Sequence, residues 1–118
     1  MKILIVESNA MLGGIWGKHI ERLGGATTHA SSQAEAILEL SREDYDVVVL
    51  NLALGDGSAI AVTDYANYRR PKAKVIFVNS DSFFSAGSIF SFMSNACALV
   101  PPATSPEDIA ELVNYHGR

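Results

Sequence analysis

Four short runs of Val, Ile and Leu, separated by stretches of helical character, limit most strongly what this chain can fold into. The runs cover residues 3–6, 47–50 and 75–78, with a weaker run at 98–100. Each is too short for a helix and lacks the polar alternation of a half-exposed strand. Such runs are typical of parallel strands that helices cover on both faces. The chain is therefore expected to build a parallel sheet.

The segment at residues 26–30 is predicted to form a fifth strand. It is more polar than the others because it contains Thr27, Thr28 and His29. Strands of that composition are suited to the edge of a sheet, where polar residues discourage pairing with other chains. We therefore expect five strands, with this one outermost.

The segments between the strands carry the spacing of amphipathic helices. Their apolar residues recur three and four positions apart, which predicts helices that bury one face against the sheet. The clearest stripes are Leu12, Ile15, Trp16, Ile20 and Leu23, then Ala36, Ile37 and Leu40, and finally Ile109, Leu112 and Val113. Ser32 and Ser105 are predicted to cap the second and last helices, and Pro106 suits the first helical position.

Two more helices complete the pattern. One is predicted over residues 58–68 and ends at Arg70, because Pro71 disfavours helical dihedral angles in the residue before it. The other is predicted near residues 85–94. Strands and helices then alternate through one domain, residues 1–118, which predicts an α/β fold with an open, doubly wound parallel sheet. In that architecture the functional loops follow the carboxyl ends of the strands.

Composition and charge narrow the classes of function. The chain has 118 residues, 48% of them hydrophobic, so it can bury one core without disulfides or a structural metal. Its net charge is −4, with no basic cluster beyond Arg69 and Arg70, so we do not expect nucleic-acid binding. The single cysteine, Cys97, excludes an internal disulfide. No apolar stretch is long enough for a signal peptide or membrane span, which predicts a cytoplasmic protein.

Three segments that contain the apolar runs and the residues after them resemble a known family. MKILIVESN at residues 1–9, DVVVLNLALGDG at residues 46–57 and KVIFVNS at residues 74–80 resemble the receiver domain of bacterial response regulators. The match covers nearly the whole chain and rests on strand pattern, spacing and the turn at Asp56 and Gly57. It implies a CheY-like, flavodoxin-like fold with strand order 2-1-3-4-5.

The resemblance implies a phosphoacceptor aspartate after the third strand and an acidic pair after the first. Here the acceptor position holds Asn51, and the pair reads Glu7 and Ser8. An ionised carboxylate can attack phosphorus, whereas the amide of Asn51 delocalises its nitrogen lone pair and is not a useful nucleophile. Mg²⁺ is usually held by carboxylates and water, so Glu7 alone is expected to bind it weakly at best.

The resemblance also implies a hydroxyl after the fourth strand and a lysine after the fifth. The hydroxyl position holds Asn79, or Ser80 if the register differs by one residue. The lysine position holds Pro101, and the aromatic residue that usually lies three places earlier is Ala98. Proline offers neither charge nor an N–H donor to a transferred phosphoryl group. The resemblance thus implies a degenerate receiver with no catalytic residue, metal or cofactor.

An aromatic segment, residues 81–93, is the most unusual part of the chain because it has no charge after its first residue. A helix formed by this segment could bury only one stripe of its apolar side chains against the sheet. Phe83, Phe84 and Phe90 are not part of that stripe. These side chains either fill the altered pocket or form an exposed anchor for a partner. In receivers, partners and dimer mates dock on the face of the fourth helix, fifth strand and fifth helix. The resemblance therefore implies a protein partner or a homodimer at this segment.

The predicted function is signal transduction by phosphorylation-independent protein contacts, with no enzymatic activity. Two alternatives stay open. One is an atypical response regulator of a phosphorelay, modified at another residue such as Asp56, although an Asp-Gly pair is foremost a turn signal. The other is a receiver-like sensor whose small molecule lies near Gly13, Gly14 and Gly17 or among the remaining Phe side chains.

Overall fold

The sheet has the strand order that the resemblance implies. The computed structural model describes residues 1–78 and 95–117. Its strands are β1 (Lys2–Val6), β2 (Ala26–Ala30), β3 (Val47–Asn51), β4 (Lys74–Val78) and β5 (Ala96–Val100). Neighbouring strands are parallel and lie in the order β2-β1-β3-β4-β5. This confirms the α/β, flavodoxin-like architecture and the prediction that β2 is an edge strand.

Each helix that the structure describes begins at a capping side chain. The helices are α1 (Ala10–Arg22), α2 (Gln33–Arg42), α3 (Ala59–Arg69) and α4 (Pro106–His116). The caps are Asn9, Ser32, Ser58 and Ser105, each of which accepts a hydrogen bond from the backbone N–H three residues on. As predicted, α3 ends before Pro71, with Arg70 as its C-terminal cap. None of the helices described is long and apolar enough to cross a membrane.

Part of the sequence-based interpretation falls outside the described residues. The helix predicted near residues 85–94 lies there. So do five candidate site residues, namely Asn79, Ser80, Phe83, Phe84 and Phe90. Their predicted roles stay predictions.

Both faces of the sheet are covered, which explains why the strand runs lack polar alternation. On β1, Leu4 and Val6 belong to the core under α2 and α3, whereas Ile3 and Ile5 belong to the core under α1 and α4. All four side chains are at most 1% exposed. Burying each one contributes roughly 1.5–3 kcal/mol. The two cores fix the sheet and bring the carboxyl ends of its strands together.

Helix α1 buries Trp16 and Ile20 of its predicted apolar stripe, with Leu12 packed against the same core, but not the rest of the stripe. Its buried residues are Gly13, Trp16, Gly17 and Ile20. Ile15 and Leu23, which the stripe places in the core, are instead 40% and 44% exposed. The expectation for these two side chains was wrong because the helix turns its glycines towards the sheet.

The glycines let α1 approach β2 closely. A Cβ on Gly13 would lie 2.6 Å from Nε2 of His29, and a Cβ on Gly17 would lie 3.5 Å from Oγ1 of Thr27. The first distance is too short for two packed atoms, so a side chain at position 13 would displace the His29 ring. Gly14, by contrast, has no atom within 4 Å of the position that its Cβ would take.

We predict opposite effects on stability for alanine at these two neighbouring glycines. Gly14→Ala should raise the free energy of unfolding by about 0.5–1 kcal/mol, because alanine restricts the unfolded chain and favours the helix. Gly13→Ala should lower it, because the methyl group meets the His29 ring. Urea denaturation measures both values. Equal stabilisation by the two variants would show that α1 does not approach β2 as described.

Candidate functional site

The backbone at Glu7 is anchored to the edge strand. Glu7 follows β1 and is 3% exposed. Its N–H donates to the carbonyl oxygen of Ala30 (3.1 Å), and its carbonyl oxygen accepts from Nε2 of His29 (2.7 Å). Because a carbonyl oxygen can only accept, Nε2 must carry the proton. The ring of His29 thus lies over Gly13 and fixes the position from which the Glu7 side chain projects.

The carboxylate of Glu7 receives a hydrogen bond at each oxygen. Oε1 accepts from the backbone N–H of Asn9 (3.0 Å), and Oε2 accepts from Nδ2 of Asn51 (2.5 Å). A buried carboxylate is strongly destabilising unless donors replace its water shell. One donor precedes α1 and the other ends β3. The chain itself therefore supplies the hydrogen bonds that stabilise the buried Glu7 carboxylate.

The orientation of the Asn51 amide follows from its second hydrogen bond. Oδ1 accepts from the backbone N–H of Ala53 at 2.8 Å. A backbone N–H can only donate, so the amide oxygen must face Ala53 and the amide nitrogen must face Glu7. Both ends of the side chain are therefore used within the protein. The resemblance implied a role for position 51 but could not give the orientation of this amide.

Ser8 forms a hydrogen bond with the loop between β3 and α3 and adds no second carboxylate beside Glu7. Its Oγ accepts from the backbone N–H of Gly55 at 3.2 Å. It supplies no negative charge beside Glu7. Within residues 1–78 and 95–117, no group of three or more His, Cys, Asp and Glu side chains is arranged to hold a metal ion.

The loop between β3 and α3 is held by Gln33, a residue that the sequence analysis did not single out. The backbone N–H of Gln33 donates to the carbonyl oxygen of Asp56 (2.9 Å), and its Oε1 accepts from the N–H of Ser58 (2.8 Å). Asp56 is exposed, and Gly57 has a φ of 104°. That positive φ is the turn conformation that an Asp-Gly pair signals.

Pro101 and Ala98 place no charge beside the Glu7 carboxylate. Pro101 is exposed after β5, and its carbonyl oxygen accepts from both the N–H (3.1 Å) and Oγ1 (2.7 Å) of Thr104. Ala98 is half-buried against the core under α1 and α4. Neither residue can supply the cation or the aromatic ring that the resemblance implies at its position.

The carboxyl ends of the described strands form a negatively charged end of the molecule. The loops and first helical turns described there contain Glu7, Glu35, Asp56, Glu107 and Asp108 but no Lys or Arg. Most of the described basic residues lie at the opposite end, namely Lys2, Arg22, Arg42, Arg69, Arg70, Lys72 and Lys74. Acidic residues at helix N-termini and basic ones at C-termini complement the helix dipoles. The formal charges of the described side chains at this end are therefore negative.

Two features away from Glu7 show no sign of a reactive site. Burial raises the pKa of the Cys97 thiol to about 11, so the reactive thiolate is scarce near neutral pH. A cleft of about 380 Å³ lies at the amino ends of the strands, where Arg70 Nη1 pairs with Asp44 Oδ1 at 2.8 Å. Arg70 and Asp44 are thus already paired, and the cleft lies at the opposite end of the sheet from Glu7.

We predict that Asn51→Asp destabilises the fold near neutral pH. The new carboxylate would meet that of Glu7, and two carboxylates in contact cannot both ionise without a cation. We expect a loss of about 1–3 kcal/mol at pH 7. Repulsion raises the pKa of the pair in the folded state, so the loss should shrink as the pH falls and one carboxyl binds a proton.

Chemical denaturation at pH 7 and pH 5 measures this effect. Asn114→Asp in the last turn of α4 is the control, because it adds the same charge away from Glu7 at a cost of only about 0.3–1 kcal/mol from the helix dipole. A variant Asn51→Asp as stable as the wild type at pH 7 would contradict the described contact between Asn51 and Glu7.

Comparison with known proteins identifies the fold through structure alone. No protein-family model matches the chain, and no curated protein matches it. It is similar to a CheY-like response regulator receiver domain protein from Methanospirillum hungatei, with a TM-score of 0.85 and 22% identity over 98% of this chain and 92% of that one. The receiver domain of a Francisella response regulator gives a TM-score of 0.82 and 20% identity over 98% and 95% of the two chains.

A third similar structure has magnesium in its active-site cleft. It is the receiver domain of a sensor histidine kinase from Pseudomonas aeruginosa, with a TM-score of 0.81 and 13% identity over 98% of this chain and 96% of that one. Identities this low establish the architecture and leave the chemistry to be argued from the residues present. The chain has the fold of the CheY-like receiver domains of response regulators.

Proposed function

We propose that this chain is a degenerate receiver domain that acts in two-component signal transduction through protein contacts, without taking a phosphoryl group at Asn51. One observation carries the proposal. The side chain at the acceptor position donates to a buried carboxylate, where a phosphoacceptor would present an oxygen to phosphorus. The receiver fold supports a role in signalling, and this contact supports a role without phosphoryl transfer.

The first argument concerns the nucleophile. An acceptor must offer a lone pair on a charged or readily deprotonated atom. The nitrogen of Asn51 shares its lone pair with the carbonyl group and donates to Glu7, while its oxygen accepts from Ala53. No atom of this side chain is free to attack.

The second argument concerns the cation. Phosphoryl transfer depends on positive charge that neutralises the equatorial oxygens in the transition state. Each oxygen of Glu7 already accepts a hydrogen bond, and Ser8, whose Oγ accepts from the N–H of Gly55, adds no negative charge for a cation. Pro101 replaces the lysine with an uncharged ring. The acidic groups nearby would repel the donor phosphate unless a metal were bound.

The partner is proposed to be a signalling protein or a second copy of the chain. The segment with Phe83, Phe84 and Phe90 lies outside the described residues, so its role as a docking surface rests on composition. Aromatic anchors of this kind contribute much of the binding energy in protein interfaces. Replacing Phe83 and Phe90 by Ser is expected to weaken association with the partner.

We predict that the protein forms no adduct with a small phosphodonor or with beryllofluoride and Mg²⁺. Intact mass after treatment with acetyl phosphate detects the first, and backbone amide chemical shifts detect the second. Asn51→Asp should also stay unmodified, since the second acid and the lysine are still missing.

The combined variant Ser8→Asp, Asn51→Asp and Pro101→Lys serves as the matched comparison, because it restores all three groups. An adduct on this variant alone supports the proposal. A stoichiometric adduct on the wild type overturns it. Robust phosphorylation of Asn51→Asp would instead show that the rest of the pocket is more competent than the second argument states.

A further inference from the structure

Gln33 contacts three consecutive residues of the loop between β3 and α3, residues 52–58. It stands at the first position of α2, where a backbone N–H has no partner inside the helix. That N–H donates to the carbonyl oxygen of Asp56. The side chain of Gln33 then reaches past Gly57 to accept from the N–H of Ser58. One residue of α2 therefore holds both sides of the turn.

Glycine at position 57 is part of the same arrangement. Its φ of 104° is strained for residues with a side chain, and a Cβ there would overlap the Cβ of Gln33. The turn is thus packed directly against the first residue of α2. Close packing and hydrogen bonding act on the same three residues.

The rest of the loop forms hydrogen bonds with two other residues, Ser8 and Asn51. Oγ of Ser8 accepts from the N–H of Gly55, and Oδ1 of Asn51 accepts from the N–H of Ala53. Between them, Leu54 is 8% exposed and packs into the core under α2 and α3. Several donors of the loop therefore already have acceptors within the chain.

We propose that Gln33 acts as a latch, meaning that its hydrogen bonds to Asp56 and Ser58 hold this loop against the start of α2. The loop moves away from α2 only when these contacts of Gln33 break. The latch couples the start of α2 to the loop that begins beside Asn51. It goes beyond the proposed function and does not depend on it, since hydrogen bonds within the chain hold the loop whether or not a phosphoryl group can be accepted. Gln33 acts here as a positioning residue.

Native-state hydrogen exchange, measured by NMR, tests the latch at single amides. In Gln33→Ala the acceptor of the Ser58 N–H is lost, so exchange at Ser58 should be at least about fivefold faster than in the wild type. Gln33→Glu keeps an acceptor oxygen and places negative charge at a helix N-terminus, where it is favourable. It should retain the protection of Ser58. Leu38→Ala, at an exposed position of α2, is the control and should leave Ser58 unchanged.

The amides of Leu4 and Val48, inside β1 and β3, separate a local effect from general destabilisation. The proposal requires faster exchange in Gln33→Ala to be confined to the loop and the first turn of α2. It is overturned if Ser58 exchanges equally fast in the wild type and Gln33→Ala, or if Leu4 and Val48 accelerate as much as Ser58. Failure of Gln33→Glu to protect Ser58 would also overturn it. No phosphodonor is used, so these outcomes leave the proposed function to its own test.

Discussion

The buried carboxylate of Glu7 must be matched by hydrogen-bond donors, and the arrangement of the carboxyl ends of the strands depends on how this is done. The chain supplies the donors from the N–H of Asn9 and the amide of Asn51. Removing the amide of Asn51 would leave Oε2 of the buried Glu7 carboxylate without its donor, which costs about 1–3 kcal/mol. An asparagine at position 51 therefore stabilises the fold in the absence of a cation. The same contact leaves the side chain without a nucleophilic atom.

The rest of the fold holds these groups in place. Two apolar cores fix β1 and β3 side by side, so Glu7 and Asn51 meet although 44 positions separate them. Gly13 lets α1 lie close to β2, where His29 reaches the carbonyl oxygen of Glu7. Gln33 and Ser8 then secure the following loop. Packing and polar contacts within the chain thus fix the positions of Glu7, Asn51 and the loop that follows β3.

Much of the fold could be predicted because it depends on local sequence. Strands buried on both faces give continuous apolar runs, and serines placed before helices predict caps such as those of α2 and α4. The exposed positions of Ile15 and Leu23 could not be predicted, since apolar spacing does not show that glycines make the closest contact with the sheet. Resemblance to a family singled out Asn51 at one position and Glu7 with Ser8 at another. Their hydrogen bond and the role of Gln33 depend on contacts between distant segments, and the sequence carries no pattern for them.

The central claim is that the side-chain amide of Asn51 donates a hydrogen bond to the buried carboxylate of Glu7. NMR of the Asn51 side-chain NH₂ group tests this directly, through its proton exchange and its response to added magnesium. The account predicts slow exchange with water and a resonance that does not move at millimolar Mg²⁺. Rapid exchange, or a shift that saturates with Mg²⁺ and is lost in Glu7→Gln, would contradict it.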